Sequence, residues 1–322
     1  VEPLKTSEET TALFREALHQ FVEKIQRDEQ VIAAVLVGSL SYDQVWEKSD
    51  IDLKLIVQDQ KLAISFTCFV EQEVPINTTI QTRNEFKRWV ERSVSGSFGH
   101  SMLSRSTLLF TKDDSITEYF EQIRYVGERD RQLQLMLLGG YALGTLAKAE
   151  KWLYVKKDPA YSTFWIIKMI DTLSQIEVLI HGDIPMRESV QQAMVFNPAF
   201  FDAIYTDLIW GQGSETKVYE TIERIQAYLN ERAERLFQPV LDYLKQEEDV
   251  RSVTEIALKF GKIIHLDPGS TTSICDWLVD RGLLVKLDTQ TKATPKSKVI
   301  LSEPAYLFGS EEETIWKSGG AW

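Results

Sequence analysis

The stretch "VGSLSYDQVWEKSDIDLKLIV", residues 37–57, decides how the chain is read. It sets a Gly-Ser, Gly38-Ser39, ten residues ahead of an Asp-Ile-Asp, Asp50 to Asp52. Residues i and i+2 of a strand share a face, so Asp50 and Asp52 stand side by side at the head of an apolar run. Two carboxylates that close repel unless a proton or a cation separates them. A Mg²⁺ ion bridged to phosphate oxygens is the usual resolution. Gly38 lets a phosphate approach the backbone, and Ser39 offers it a hydroxyl and an N–H.

The flanking sequence supplies the scaffold such a site needs. "VIAAVLV" (31–37) is a continuous β-branched run, as a buried strand requires, and "IDLKLIV" (51–57) is a second strand. "VPINTTIQT" (74–82) and "STLLFTKD" (106–113) are further strands. Helices are expected over 7–28, with an apolar stripe of Leu13, Phe14, Ala17, Phe21 and Ile25, over 84–93 with Asn84 as its cap, and over 114–123, capped by Asp114 or Ser115. Together these make an α+β domain, a mixed sheet with flanking helices, over 1–127.

Gly38-Ser39, the ten-residue spacing, and Asp50-Ile51-Asp52 with Ser49 before and Leu53 after it resemble the signature of the nucleotidyltransferase superfamily, the polymerase-β-like fold. The resemblance implies that Asp50 and Asp52 are catalytic residues that hold Mg²⁺, and that Gly38 and Ser39 contact the triphosphate of an NTP. The implied reaction is in-line attack of an acceptor hydroxyl on the α-phosphorus, with release of pyrophosphate. Lys54, on the strand face of Asp52, is either a further nucleotide-binding residue or an ion-pair partner of the two aspartates.

The family usually places a third acid on a later strand, where it serves as metal ligand or base. Strand 74–82 holds none and offers Asn77 and Thr79, both poor bases. Glu73, just before it, is the third metal ligand if the strand begins earlier; a solvated charge before Pro75 is the alternative.

Beyond residue 128 the patterns are helical: 129–155, 160–181, 186–194, 198–210 and 215–246, with Gly, Pro or Asp at the breaks. They form an all-α helical bundle, 128–237, expected to bind substrate. The helix 161–180 is apolar nearly all round yet carries Lys168, Asp171 and Glu177, so those charges are paired or functional; Lys168 and Asp171, three apart, are expected to pair with each other. Two short helices, 252–261 and 270–282, and a hairpin follow, and with 238–246 they suggest a small winged helix-turn-helix domain over 238–310. Residues 311–322 are a tail. The three-part order resembles bacterial nucleotidyltransferase-like proteins whose substrates are not defined.

Composition narrows the partners. The net charge of −12 excludes nucleic-acid binding over the whole surface and demands a local basic patch. Residues 247–308 hold eight Lys and Arg against nine Asp and Glu. DNA contact through Lys292, Lys296 and Lys298 of the wing is therefore open but not favoured. The two cysteines, Cys68 and Cys275, read as reduced thiols of a cytoplasmic protein, and no apolar run is long enough to span a membrane. NTP and an acceptor are the expected partners. The alternative is a degenerate, nucleotide-binding regulator that acts through its winged helix on DNA or a protein.

Overall fold

The computed structural model describes residues 8–42, 48–92, 106–122, 127–211, 214–264 and 266–309. The tail over 311–322 and the side chains of Ser39 and Arg92 lie outside the described residues. The chain divides into two compact units, Val1–Gly127 and Glu128–Trp322.

In the first unit α1 (Glu8–Gln26) leads into β1 (Val31–Val37), a 3₁₀ turn (Ser39–Tyr42), β2 (Ile51–Val57), β3 (Phe66–Glu71), β4 (Val74–Thr82), α2 (Arg83–Arg92), β5 (Thr107–Thr111) and α3 (Asp114–Gln122). The five strands form one mixed sheet in the order β3-β4-β2-β1-β5. Only β2 and β4 run parallel; the other neighbours are antiparallel. Every residue of β1 is buried because both faces of the sheet are covered. Phe14, Ala17, Leu18 and Phe21 of α1 pack on Ala34, Leu36, Ile51, Leu53 and Ile76. On the opposite face, Phe86 of α2 and Ile116 and Phe120 of α3 pack on Ala33, Val35, Val37 and Ile56. Asp52, Lys54 and Ile56 alternate onto this second face.

In this unit two helix starts differ from those expected. Helix α2 is capped by Thr82, not Asn84: Thr82 Oγ1 accepts from Glu85 N–H at 3.3 Å and Thr82 N–H donates to Glu85 at 2.9 Å. This reciprocal capping box satisfies two orphan donors, which Asn84 cannot do alone. Asp113 caps α3, accepting from Ser115 N–H at 3.0 Å and Ser115 Oγ–H at 2.7 Å.

The second unit begins with α4 (Glu128–Glu150), which runs into a π-helical turn (Lys151–Val155), and α5 (Pro159–Ile180). After α6 (Ser189–Phe196) come α7 (Pro198–Phe201) and α8 (Asp207–Trp210), joined by a second π turn, then α9 (Glu215–Glu231) and α10 (Ala233–Glu247). The last elements are β6 (Arg251–Ser252), α11 (Val253–Ile264), α12 (Pro268–Val279), β7 (Leu284–Thr291) and β8 (Leu301–Phe308). Strands order as β6-β8-β7, all antiparallel. One continuous core runs from Leu133 of α4 to Tyr306 of β8, so the helices of 128–247 and the elements after them are packed together. Helix α12 is capped by Asp267, with Pro268 at its first position, and so starts two residues ahead of the expected 270.

The polar residues of α5 are engaged differently from expectation. Lys168 lies over the rings of Phe164 and Trp165, at 5.2 and 5.0 Å, while Asp171 accepts from Ser189 and Gln175 at 2.9 and 2.8 Å. Glu177, 1% exposed, accepts from the Tyr228 hydroxyl at 2.7 Å, with Arg232 at 3.8 Å. Burial and the Glu177 charge push the Tyr228 hydroxyl well above the usual tyrosine range.

Candidate functional site

The ends of β1 and β2 meet because the strands are antiparallel and Val37 pairs with Asp52. The connection between them holds both Gly38-Ser39 and Asp50, so the spacing in the sequence becomes contact in space. Gly38 adopts φ +78°, the left-handed region open to glycine. A Cβ there would stand 2.7 Å from Asp52 Oδ2. Gly38 is required twice over, by its backbone angle and by the carboxylate seated against it. Its carbonyl accepts from Ser41 N–H at 3.1 Å and from Ser41 Oγ–H at 2.6 Å, which closes the turn that starts at Ser39.

Asp50 and Asp52 are both half-buried. The parallel register of β2 and β4 sets Asn77 opposite Asp52. Asn77 Nδ2 donates to Asp50 Oδ2 at 2.5 Å. The residue that faces the pair from β4 is thus an amide. It relieves the charge on Asp50 by a hydrogen bond, which a third carboxylate would not do. Thr79, one step along, pairs in register with Lys54.

Lys54 is 7% exposed, with its ammonium 4.3 Å from the centre of the Trp89 ring. Desolvation lowers its pKa from the ordinary lysine value. Trp89 of α2 caps this cation, so the lysine sits behind the aspartates on the same sheet face.

Glu73 lies elsewhere. Gln72 and Glu73 both have positive φ, 49° and 64°, and form the tight turn between β3 and β4, with Glu73 exposed. Among the described residues no group of three or more His, Cys, Asp and Glu gathers closely enough to hold a metal, so Glu73 is not brought to Asp50 and Asp52. Glu71 pairs with Lys24 of α1 at 2.5 Å.

The donor set at the site is the carboxylate oxygens of the two aspartates, beside the amide of Asn77, whose Nδ2 is turned to Asp50. Oxygen donors of this kind suit Mg²⁺ rather than a soft transition metal. Asp50 and Asp52 would hold the ion; Asn77 supplies a neutral neighbour in place of a third charge.

A second concave feature lies within the other unit. A cavity of about 590 Å³ opens between α4, α9 and α12, with Gly144, Glu150, Asn230, Asp276 and Trp277 in its wall. Arg281 stacks on Trp277 with its guanidinium 3.3 Å from the ring centre and donates to Asn230. Asp276 pairs with Lys286 at 2.8 Å and accepts from Tyr306 at 2.8 Å. Asp276 of α12 is therefore engaged within the unit.

The mixed sheet with its flanking helices fits the nucleotidyltransferase fold. Residues 19–115 match the family described as Polymerase beta, Nucleotidyltransferase, which supports assigning this part of the chain to the polymerase-β-like nucleotidyltransferase superfamily. It is similar in fold to a nucleotidyltransferase-like protein from Exiguobacterium sibiricum 255-15, known from a crystal structure. That likeness covers 91% of this chain and 98% of the other, with a TM-score of 0.62 and 15% identity. No curated protein sequence matches the chain. Among the described residues no helix is long and apolar enough to cross a membrane.

Proposed function

We propose that the chain is a Mg²⁺-dependent nucleotidyltransferase that moves a nucleoside monophosphate from an NTP to an acceptor hydroxyl. The observation that carries this reading is the seating of Asp52 against Gly38, which places a carboxylate and an open backbone turn at one point. Gly38 and the backbone of Ser39 would receive the triphosphate, and Asp50 and Asp52 would hold the ion. Bound there, Mg²⁺ would neutralise charge on the phosphates as it develops. In the reaction the acceptor oxygen bonds to the α-phosphorus, the bond to the β-phosphate oxygen breaks, and pyrophosphate leaves. Asn77 has no basicity, so the acceptor's proton passes to an aspartate or to water. Lys54 would keep a positive charge behind the pair.

A second reading is favoured by Asn77 itself. An amide bonded to Asp50 suits a domain that binds nucleotide without turning it over, as a regulator acting through its C-terminal elements would. The succession of α10, β6, α11, α12 and the β7–β8 hairpin supports taking 238–310 as a winged helix. Its second helix carries Asp276, with Asp280 at its C-terminal end, and packs inward, so contact with a partner would fall to the exposed Lys292, Lys296 and Lys298 of the hairpin.

Pyrophosphate release from each of the four NTPs with Mg²⁺, over a panel of acceptors, separates the two. Release that disappears in Asp52→Asn supports transfer. Saturable nucleotide binding with no release from any NTP supports the regulator.

A further inference from the structure

Helices α4 and α5 present a run of aromatic rings and lysines to solvent at the end where the π turn joins them. Tyr161 and Phe164 of α5 are 41% and 46% exposed and stack on each other at 5.5 Å, with 30° between the rings. Trp152 of the π turn meets Tyr161 edge-on at 4.3 Å. Trp165 joins Phe164 at 5.9 Å. Lysines lie over these rings: Lys148 stands 4.5 Å from Trp165, and Lys168 is 5.0 Å from Trp165 and 5.2 Å from Phe164.

The π turn helps to build this face. Its wider bond, Lys156 N–H to Lys151 C=O at 3.0 Å, keeps Leu153 in the core while Lys151, Tyr154, Val155 and Lys156 stay exposed. Residues 148–168 hold five lysines against two carboxylates in a chain of net charge −12. Both carboxylates are already engaged. Glu150 accepts from Gln226 at 2.6 Å, and Asp158 caps α5 by accepting from Tyr161 N–H at 2.9 Å. The lysines keep a local excess of positive charge on a surface of stackable rings.

We infer that the exposed face of α4 and α5 around Lys148, Trp152, Tyr161, Phe164 and Lys168 binds single-stranded nucleic acid, with bases stacked on Tyr161 and Phe164 and phosphates met by the lysines. The chemistry is that of sequence-tolerant single-strand sites, which pair a basic track with aromatic platforms. A duplex hides its base faces and leaves only groove edges and phosphates to contact. An anionic membrane is the other surface that lysines and aromatics fit. Here, however, the rings pack against one another, and Phe164 and Trp165 lie beneath ammonium groups instead of projecting past them as a wedge. The inference does not rest on the nucleotide site and needs neither Mg²⁺ nor NTP.

The test is fluorescence anisotropy of labelled oligo(dT) and oligo(U) titrated with the full chain at low salt, without Mg²⁺ or NTP. Saturable binding of either strand is expected, with weaker binding of a duplex of the same length. Phe164→Ala with Tyr161→Ala should weaken single-strand binding about tenfold or more. Lys148→Gln with Lys168→Gln should flatten the salt dependence by a slope of about 1.4. Thermal melts confirm that both variants are folded. Absence of binding at low salt, binding that folded variants leave unchanged, or preference for duplex would overturn the inference. So would capture by phosphatidylglycerol vesicles with no binding to either oligonucleotide.

Discussion

Asn77 donates its side-chain amide to Asp50 Oδ2 at 2.5 Å, across two parallel strands whose register puts Asn77 opposite Asp52. One amide therefore faces both aspartates from the strand where the superfamily usually carries an acid. Asn77→Asp restores that charge with almost no change of volume. Without metal, three neighbouring carboxylates repel, so the variant should melt at a lower temperature. With Mg²⁺ the order should reverse, with the ion bound about tenfold more tightly than by the wild-type. Calorimetric titration of Mg²⁺ into both proteins, with paired melts, checks this. Equal affinities would mean that position 77 does not face the ion.

Gly38→Ala probes the turn. The new Cβ meets Asp52 Oδ2 while the backbone is held at φ +78°. Together these should cost about 1–3 kcal/mol of stability. Nucleotide binding should fall further than stability does, because Asp52 is displaced from the site. Urea unfolding measures the first effect and a nucleotide titration the second.

How much of this was legible in the sequence follows from where each signal resides. The strands β1, β2 and β4 could be read directly: β1 is an unbroken apolar run, and β2 and β4 are rich in β-branched residues. The strand β3 could not. It lies at the sheet edge, where Phe66, Phe69 and Val70 are exposed, and so shows no alternation between core and solvent. The long helical run over 215–246 contains an interruption at Arg232 and a kink at Phe237 that no glycine announces; Pro239 lies two residues beyond the kink. The absence of an acid on β4 is visible in the residues, but the bond from Asn77 to Asp50 is not. It depends on the parallel register, which the local sequence does not encode. Lys54 likewise shares a face with Asp52 by simple alternation, yet its position under Trp89 comes from the packing of α2.

Asp113 links pH to the stability of the first unit. The hydrogen bond from Ser115, with help from Arg83 at 2.8 Å, holds its carboxyl below the usual aspartate value. A depressed pKa contributes stability that is present above the unfolded value, about 3.9, and is lost as pH falls through the folded one. Melts should therefore drop as pH is lowered below about 4. Asp113→Asn keeps an N-cap and should flatten that part of the profile, whereas Asp113→Ala also loses the cap, at about 1 kcal/mol.

Glu177 anchors the second unit. Its removal in Glu177→Ala leaves the Tyr228 hydroxyl and the Arg232 charge without their buried partner, which should destabilise the fold by about 3 kcal/mol or more. Glu177→Gln keeps an acceptor for Tyr228 and should cost less. Chemical denaturation of the three proteins ranks them.

The central claim is that Gly38, Asp50 and Asp52 form a Mg²⁺–nucleotide site, and the most direct test is the melting temperature with each of the four NTPs plus Mg²⁺. The wild-type should be stabilised by at least one NTP only when Mg²⁺ is present, and Asp50→Asn and Asp52→Asn should both lose that shift while remaining folded. Stabilisation of equal size in wild-type and both variants would contradict it.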